Sequence, residues 1–158
     1  MKKHVFLLFL FLSGLSMAQT TKEASTSAVP KGEVAKSKQS VTLDGKVIPL
    51  SAEAGTLQLK DENNKPIALF GYTAYFKENP EKNRPIVFAY NGGPGSSSYW
   101  LHMGIMGPKR IVVDDPNYNA AAPYELTNNE FSILDVADVV MMDPVGTGLS
   151  VPIGDSKG

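Results

Sequence analysis

The chain has 158 residues, a net charge of −1 and no cysteine. This length is enough for one domain, and without cysteine neither disulfide bonds nor thiolate metal sites can form. A charge this close to zero is not the footprint of a protein that binds nucleic acid or an anionic membrane.

The first 18 residues have the pattern of a secretory signal peptide. The basic start Lys2-Lys3 precedes an apolar run at 5–15, and Ser16-Met17-Ala18 fits the small-x-small rule for cleavage before Gln19. The apolar run is too short to span a bilayer, so no membrane anchor is expected after cleavage. We therefore predict an exported protein, periplasmic or secreted, whose net charge changes from −1 to −3 when the two lysines are lost. A buried N-terminal helix is the alternative.

Residues 19–40 are rich in Thr, Ser, Ala and Lys and have no apolar periodicity. This composition predicts a flexible linker. The predicted organisation is thus a signal peptide at 1–18, a linker at 19–40 and one domain at 41–158.

Four short β segments open this domain. Residues 41–43 and 46–50 flank Asp44-Gly45, a pair typical of a hairpin turn. Residues 56–60 and 66–76 flank a second, polar turn. Within 66–76 the apolar residues alternate, as in an antiparallel strand with one buried face.

Two nearly continuous apolar runs follow, at 86–90 and 136–142, and each ends in a glycine-rich loop. Such runs are typical of strands that are covered on both faces, as in parallel sheets. A short helix at 99–106, with serines available to cap it and Gly107-Pro108 to end it, and a strand at 110–114 are expected between them. Antiparallel strands followed by buried parallel strands predict the opening of an α/β sheet. Ligands bind beyond the carboxyl ends of such strands, so both glycine loops are expected to line one crevice.

The segment Asn91-Gly92-Gly93-Pro94-Gly95, directly after the first of these runs, is the most informative of the chain. Gly92 and Gly93 can take positive φ and leave no Cβ over an approaching atom, and the proline stiffens the turn. A strand–turn–helix junction of this kind points backbone N–H groups outward, where they can stabilise the oxyanion of acyl transfer. Asn91 adds an amide that can bind a polar group or a carboxylate.

Other interpretations of these glycines fit less well. A phosphate loop requires a lysine at its end, but the first lysine after the glycines is Lys109. The dinucleotide fingerprint requires a third glycine where Ser98 stands. A tight turn that only packs a strand against a helix is the remaining alternative. Since metal-ligand spacing is also missing from the sequence, no cofactor and no metal are expected.

Residues 91–98 resemble the hallmark Asn-Gly-Gly-Pro-Gly-x-Ser-Ser of the serine carboxypeptidase family, α/β hydrolases that remove C-terminal residues from peptides. Three later segments agree with this family in the same order, namely Gly107-Pro108, 128–135 and 143–150. The resemblance covers about 85–150, and the joint match is more specific than any single motif. It implies the N-terminal part of an α/β-hydrolase domain, with an incomplete sheet and a peptide as substrate.

The resemblance also implies roles for individual residues. Gly93 matches the residue that provides an oxyanion-hole N–H, and Asn91 and Gly92 match residues that help to bind the terminal carboxylate of the substrate. Ser96 stands where the family has a disulfide cysteine, in agreement with the absence of cysteine. Ile105 stands where well-known members have an acid that shares in carboxylate binding, which leaves the strictness for a free C-terminus open.

A serine hydrolase of this fold also needs a nucleophile, an acid and a histidine, in that order along the chain. His4 lies in the predicted signal peptide, and His102 precedes any suitable nucleophile, so its apolar neighbours predict a packed structural role. Residues 154–158 match Gly-x-Ser-x-Gly at Ser156, but neither a buried strand before it nor a helix after it supports a nucleophile there. We therefore expect the triad to be absent from this chain, and the chain alone to be inactive.

The remaining carboxylates favour structural roles. Asp114-Asp115 fit a solvated turn, and Asp135 and Asp138 are expected to cap or end secondary structure. Asp143 is the best candidate for the crevice, since it follows the second apolar run directly.

Two alternatives to a carboxypeptidase fragment stay open. One is a complete, non-catalytic secreted binding module, and the other is an esterase or acyl transferase on the same fold. A fragment is further expected to be poorly stable, because an open sheet exposes apolar edges.

Overall fold

The computed structural model describes residues 29–92, 95–113 and 122–154. The predicted signal peptide, Gly93, Asp114-Asp115 and Ser156 lie outside these residues, and so does the first part of the predicted linker. The described strands are β1 (Val34–Leu43), β2 (Lys46–Lys60), β3 (Pro66–Lys77), β4 (Ile86–Tyr90), β5 (Lys109–Ile111), β6 (Leu126–Asn128), β7 (Asp138–Met142) and β8 (Val151–Pro152). The helix α1 (Tyr99–Leu101) continues as one turn of π-helix (His102–Met106). No helix within the described part of the chain is long and apolar enough to cross a membrane.

The first three strands form an antiparallel meander. β1 pairs with β2 over its whole length, and β2 pairs with β3 up to a bulge at Leu59/Lys60. The turn between β1 and β2 confirms the predicted hairpin, since Asp44 and Gly45 have φ values of 48° and 72°. Positive φ at both central residues is the geometry that such a two-residue loop requires.

The predicted boundary between linker and domain is wrong. β1 begins at Val34, so residues 34–40 form a strand that pairs with residues 49–55 of β2. Their side chains are exposed, and Lys36 forms an ion pair with Glu53 across the two strands. An edge strand held by its backbone needs no apolar alternation, and lysine is a common residue on such edges. The sequence pattern therefore gave no signal for this half of β1.

β3 is the central strand of the antiparallel part. One of its edges pairs with β2, and the other pairs with β8 at Ala68 and Leu69 and with β7 from Tyr72 to Tyr75. Ala68, Gly71 and Ala74 are all buried, at positions that point to opposite faces of the strand. The predicted alternation with one buried face is wrong, because β3 is covered on both faces.

β4 and β7 run parallel, in register from Ile86↔Asp138 to Tyr90↔Met142. The strand order is β1-β2-β3-β7-β4. The mixed sheet confirms the predicted α/β class, with antiparallel strands first and parallel strands after them.

The two parallel strands differ in how they are covered. β7 lies inside the sheet, and its Val139 and Met141 are fully buried, as predicted. β4 is the last strand of the described sheet, and its Ile86, Phe88 and Tyr90 are 50%, 62% and 66% exposed. The prediction that β4 is covered on both faces is therefore wrong for the face that carries these three side chains, hereafter the β4 face.

The hydrophobic core lies on one side of the sheet. It joins the β1–β2 hairpin to β3, β4 and β7, and Leu101 and Met106 of the helical segment pack against it. The buried apolar residues are Val41, Leu43, Leu50, Tyr75, Ala89, Leu134, Val139 and Met141. This packing holds the helical segment, and so the glycine turn before it, against the sheet.

Candidate active site

The two glycine loops start at one edge of the sheet. Asn91 follows the last residue of β4 and Asp143 follows the last residue of β7, and these two strands are parallel neighbours. Their carboxyl ends therefore meet, at the place where α/β sheets bind ligands.

The first loop contains the residues that the sequence predicts to bind substrate. The Asn91 side-chain amide donates a hydrogen bond to the Ser96 hydroxyl, which orients Asn91 from within its own loop. Gly92 is exposed and has no positive φ, and a Cβ built on it would meet no atom within 4 Å. Gly92 thus offers open access to the loop rather than an unusual backbone conformation. Gly93 lies outside the described residues, and its oxyanion-hole role stays a prediction.

Asp143 connects the two loops through its carboxylate. The carboxylate is buried, and its Oδ1 accepts hydrogen bonds from the backbone N–H and the hydroxyl of Ser98, at 2.9 and 2.8 Å. Its Oδ2 accepts the backbone N–H of Leu149 in the second loop, at 3.0 Å. Asp143 therefore lies at the predicted edge of the sheet, but both its oxygens are engaged by protein donors.

The serines before α1 act differently from the prediction. Ser98 makes no side-chain capping bond to the helix, because its hydroxyl is used by Asp143. Its carbonyl instead accepts the N–H of His102 at 2.9 Å, which closes the first turn.

The second loop is fixed to the central strand of the sheet. The Ser150 hydroxyl donates to the Asp143 carbonyl at 2.6 Å and accepts the N–H of Gly71 at 2.7 Å. The N–H of Asp143 donates to the Gly71 carbonyl at 3.0 Å. A Cβ at Gly71 would lie 2.6 Å from the Cβ of Leu149, so only glycine permits this approach of loop and strand. Sequence reasoning missed Gly71, for which an isolated glycine inside a strand pattern is the only signal.

The segment 128–135 supports the end of the helical segment. Asn129 is fully buried and donates from its amide to the carbonyls of Ile105 and Gly107, at 2.7 and 2.8 Å. The Ser132 hydroxyl donates to the Met106 carbonyl at 2.9 Å. These bonds satisfy carbonyls that a helix leaves free at its C-terminus. The segment thus supports the end of the helical segment that follows the first glycine loop.

His102 has the packed position that the sequence predicts. Its Nε2 lies 2.7 Å from the Tyr75 hydroxyl, and the ring is half-buried beside the core. Burial lowers the pKa of His102, and the negative charge of Asp143 opposes this with a smaller effect. Burial likewise raises the pKa of Tyr75. Among the described residues, no nucleophile lies against the imidazole. Its bond to the Tyr75 phenol and its burial therefore fit a packed structural role and not that of a catalytic base.

Asp138 lies at the opposite end of β7 from the site. Its Oδ1 accepts the Arg84 Nε at 2.8 Å, and both side chains are buried. The same guanidinium donates to the carbonyls of Leu134, Asp135 and Ala137. Asp138 is the first residue of β7 and has a structural role, as predicted. Arg84, which the sequence analysis did not single out, secures the turn before β7.

An apolar groove of about 320 Å³ runs beside the helical segment. Its lining includes Tyr99, Trp100 and Met103 from the helical segment, together with Val113 and Tyr124. Trp100 is 69% exposed.

Within the described ranges, no cluster of His, Asp and Glu side chains could hold a metal ion.

Comparison with known proteins places these features in one family. The sequence profile of the serine carboxypeptidases matches residues 43–157. Serine carboxypeptidase-like 10 of Arabidopsis thaliana is 31% identical over 119 residues, which are 73% of this chain and 26% of that protein. Pheromone-processing carboxypeptidase KEX1 of Clavispora lusitaniae is 39% identical over 98 residues, 61% of this chain and 14% of that protein. Vacuolar serine-type carboxypeptidase ATG42 of Saccharomyces cerevisiae is 32% identical over 105 residues, 66% of this chain and 18% of that protein.

The chain spans about a quarter, or less, of the length of these curated relatives. Within that span the profile covers both glycine loops, the helical segment and the supporting segment behind it. The chain therefore belongs to the serine carboxypeptidase family.

Proposed function

We propose that this chain provides the oxyanion and substrate-binding loop of a serine-type carboxypeptidase, which releases C-terminal residues from peptides. The observation that carries the proposal is the junction of the two glycine loops at the carboxyl ends of β4 and β7. It puts the loop that begins at Asn91 and Gly92 at the edge where such a substrate would bind.

In this proposal the substrate carboxylate binds Asn91 and the backbone at Gly92, and Gly93 donates its N–H to the oxyanion. Fixed donors of this kind lower the barrier because they need no reorganisation as charge develops, and one of them is worth about 3–4 kcal/mol. The bond from Asn91 to Ser96 supports the proposal, because it orients the amide before the substrate arrives.

The chemistry further requires a nucleophilic serine, an acid and a histidine. The only two histidines of the sequence are His4 and His102, and His102 is paired with Tyr75. We propose that the 158-residue chain does not hydrolyse peptides by itself and acts with residues that it does not contain.

A second candidate is an esterase or acyl transferase on the same fold, and Ile105 favours it. Its side chain is 58% exposed at the position where the family resemblance implies an acid. Without that acid the site loses one of its contacts to a substrate carboxylate, and the preference for a free C-terminus weakens.

An assay of the longest protein that the gene encodes distinguishes the two candidate functions. The substrates are blocked dipeptides with a free or an amidated C-terminus, and the matching esters. A carboxypeptidase cleaves the free-acid peptide at least about tenfold faster than the amide, since a hydrogen bond to a charged group is worth about 1.5–3 kcal/mol. Equal rates on acid and amide, with faster cleavage of the ester, would favour the second candidate.

The Asn91→Ala variant tests the binding role within the same assay. We expect KM for the free-acid peptide to rise about tenfold or more and KM for the amide to change little. Asn128→Ala is the matched control, because that amide bonds to Thr42 in β1, its one hydrogen-bond partner among the described residues. If both variants have the wild-type KM, Asn91 does not bind the carboxylate.

We also propose that the protein is exported. The signal pattern at 1–18 supports this, and one relative is named a vacuolar enzyme. Export predicts a mature protein that begins at Gln19, which mass spectrometry of the extracytoplasmic fraction would detect. A protein that retains Met1 in the cytoplasm would exclude export.

A further inference from the structure

The buried carboxylate of Asp143 connects two loops that are distant in sequence. Its Oδ1 bonds twice to Ser98 of the first loop, and its Oδ2 bonds to Leu149 of the second. None of the ion pairs within the described residues includes Asp143. The carboxylate is thus compensated by N–H and O–H donors, and these donors come from both loops.

The geometry of a carboxylate constrains this connection. Its two oxygens lie in one plane at a fixed separation, which limits the positions that the donors of Ser98 and Leu149 can take while both bonds are kept. Gly148 has φ +51°, and a Cβ there would overlap the Asp143 carboxylate. The second loop therefore wraps around the carboxylate as closely as the backbone allows.

The backbone of Asp143 is itself fixed to the sheet. Its N–H donates to the Gly71 carbonyl at 3.0 Å, and its carbonyl accepts the Ser150 hydroxyl at 2.6 Å. Ser150 in turn accepts the Gly71 N–H. Both loops are therefore positioned relative to the central strand β3 through one residue.

We propose that Asp143 is the positioning residue that sets the orientation of the first glycine loop relative to the second. It acts through Ser98 on the loop that presents Asn91 and Gly92. A direct role as general acid or base is disfavoured, because both carboxylate oxygens already accept hydrogen bonds from the protein. The catalytic consequence rests on the proposed function, whereas the coupling of the two loops does not.

The coupling is tested by amide hydrogen exchange in the 158-residue chain, measured by mass spectrometry at about 1 µM to limit self-association. In Asp143→Asn an NH₂ group replaces one acceptor, so we expect exchange at Ser98 and Leu149 to be at least about tenfold faster than in the wild type. The matched control is Asp138→Asn, the same change at the other end of the same strand, in a carboxylate that is also buried. If Asp143→Asn accelerates Ser98 and Leu149 no more than Asp138→Asn does, the proposal is wrong.

Ser98→Ala decides the matter if Asp143→Asn does not fold. This variant removes one hydroxyl, which bonds to Asp143 and not to Leu149. The proposal predicts faster exchange at Leu149 in the other loop, transmitted by the carboxylate. Changes confined to Ser98 and its sequence neighbours would overturn it.

The effect of Asp143 on catalysis is measured as kcat for peptide hydrolysis, with the longest protein that the gene encodes. Asp143→Asn should lower kcat for peptide hydrolysis by about tenfold or more, with a smaller change in KM, because misaligned donors stabilise the oxyanion less. Asp138→Asn should leave kcat unchanged at a temperature where both variants are folded. A wild-type kcat in folded Asp143→Asn contradicts the proposal. If the wild type has no peptidase activity at all, the proposed function fails, and the exchange result still decides whether Asp143 couples the loops.

Discussion

At the scale of single residues, the buried polar groups of the segments that match the family form hydrogen bonds within the protein. Ser98, Asn129, Asp143 and Ser150 are buried, and each has hydrogen-bond partners within the protein. In the described part of the chain no buried side-chain nitrogen or oxygen lacks a partner. A buried polar group without a partner costs about 1–3 kcal/mol, so these residue types are constrained by the structure as well as by chemistry.

His102 should make the stability depend on pH. Burial lowers its pKa in the folded chain below the unfolded value of 6.5, so the unfolded chain binds the proton more readily. The contribution of the neutral imidazole to stability is complete above that value and is lost as the pH falls toward the lower, folded pKa. Lys36 and Glu53 line the cavity beside His102, and Asp143 acts on it electrostatically, with a smaller and opposite effect.

His102→Gln tests this dependence, since glutamine can still accept the Tyr75 hydroxyl but does not titrate. Urea unfolding at about pH 7.5 and about pH 5.5 should show a larger loss of unfolding free energy in the wild type than in the variant. An equal loss in both proteins would show that His102 is not responsible.

At the scale of the elements, the sequence predicts best where side chains are patterned. The hairpin turn at Asp44-Gly45 and the parallel strands at 86–90 and 138–142 follow from turn residues and apolar runs. The first half of β1 could not be predicted, because backbone pairing alone holds it and its side chains remain in solvent. The π-helical turn His102–Met106 also has no sequence signal, and the side chains that bond to its end, Asn129 and Ser132, lie more than 20 residues later in the chain.

Asn129→Ala should destabilise the helical segment. The change leaves the carbonyls of Ile105 and Gly107 without their partner in a buried environment, which we expect to cost about 2–3 kcal/mol of unfolding free energy. Asn63→Ala, in an exposed turn, is the control and should change stability by less than about 0.5 kcal/mol. The urea midpoint of each variant gives the comparison, and equal midpoints would refute the supporting role of Asn129.

The candidate site was predictable to the extent that its chemistry lies in short motifs. The place of Asn91 and Gly92 at a strand end follows from the sequence, and so does the packed role of His102. The position of Asp143 was predictable too, but its bonds to Ser98 and Leu149 were not. Ser98 and Asp143 lie 45 residues apart in the sequence, and a contact between such distant residues leaves no local pattern.

At the scale of the whole molecule, the described sheet ends in an uncovered apolar surface. The β4 face carries Phe88, which is 62% exposed, between Ile86 and Tyr90. Adjacent exposed apolar residues on an edge strand favour association with other chains. The exposed surface agrees with the expectation that an open sheet would show apolar edges.

The 158-residue chain should therefore self-associate. Sedimentation velocity at about 100 µM should show species larger than the monomer, in a range where exposed apolar surface commonly drives aggregation. Phe88→Lys should shift the chain toward monomer without loss of the circular dichroism of the sheet, because the side chain points away from the core. Val47→Lys, at an equally exposed residue of β2, is the control and should not shift it. A wild-type chain that is monomeric at this concentration would contradict the prediction.

The central proposal is that this chain carries the oxyanion and substrate-binding half of a carboxypeptidase site without its nucleophile. The most direct measurement is intact-mass spectrometry of the purified 158-residue chain after incubation with a fluorophosphonate, which modifies activated serines covalently. The account predicts no adduct, because no serine of the sequence has a histidine base in the required order. A stoichiometric adduct on Ser156 that disappears in Ser156→Ala would contradict it.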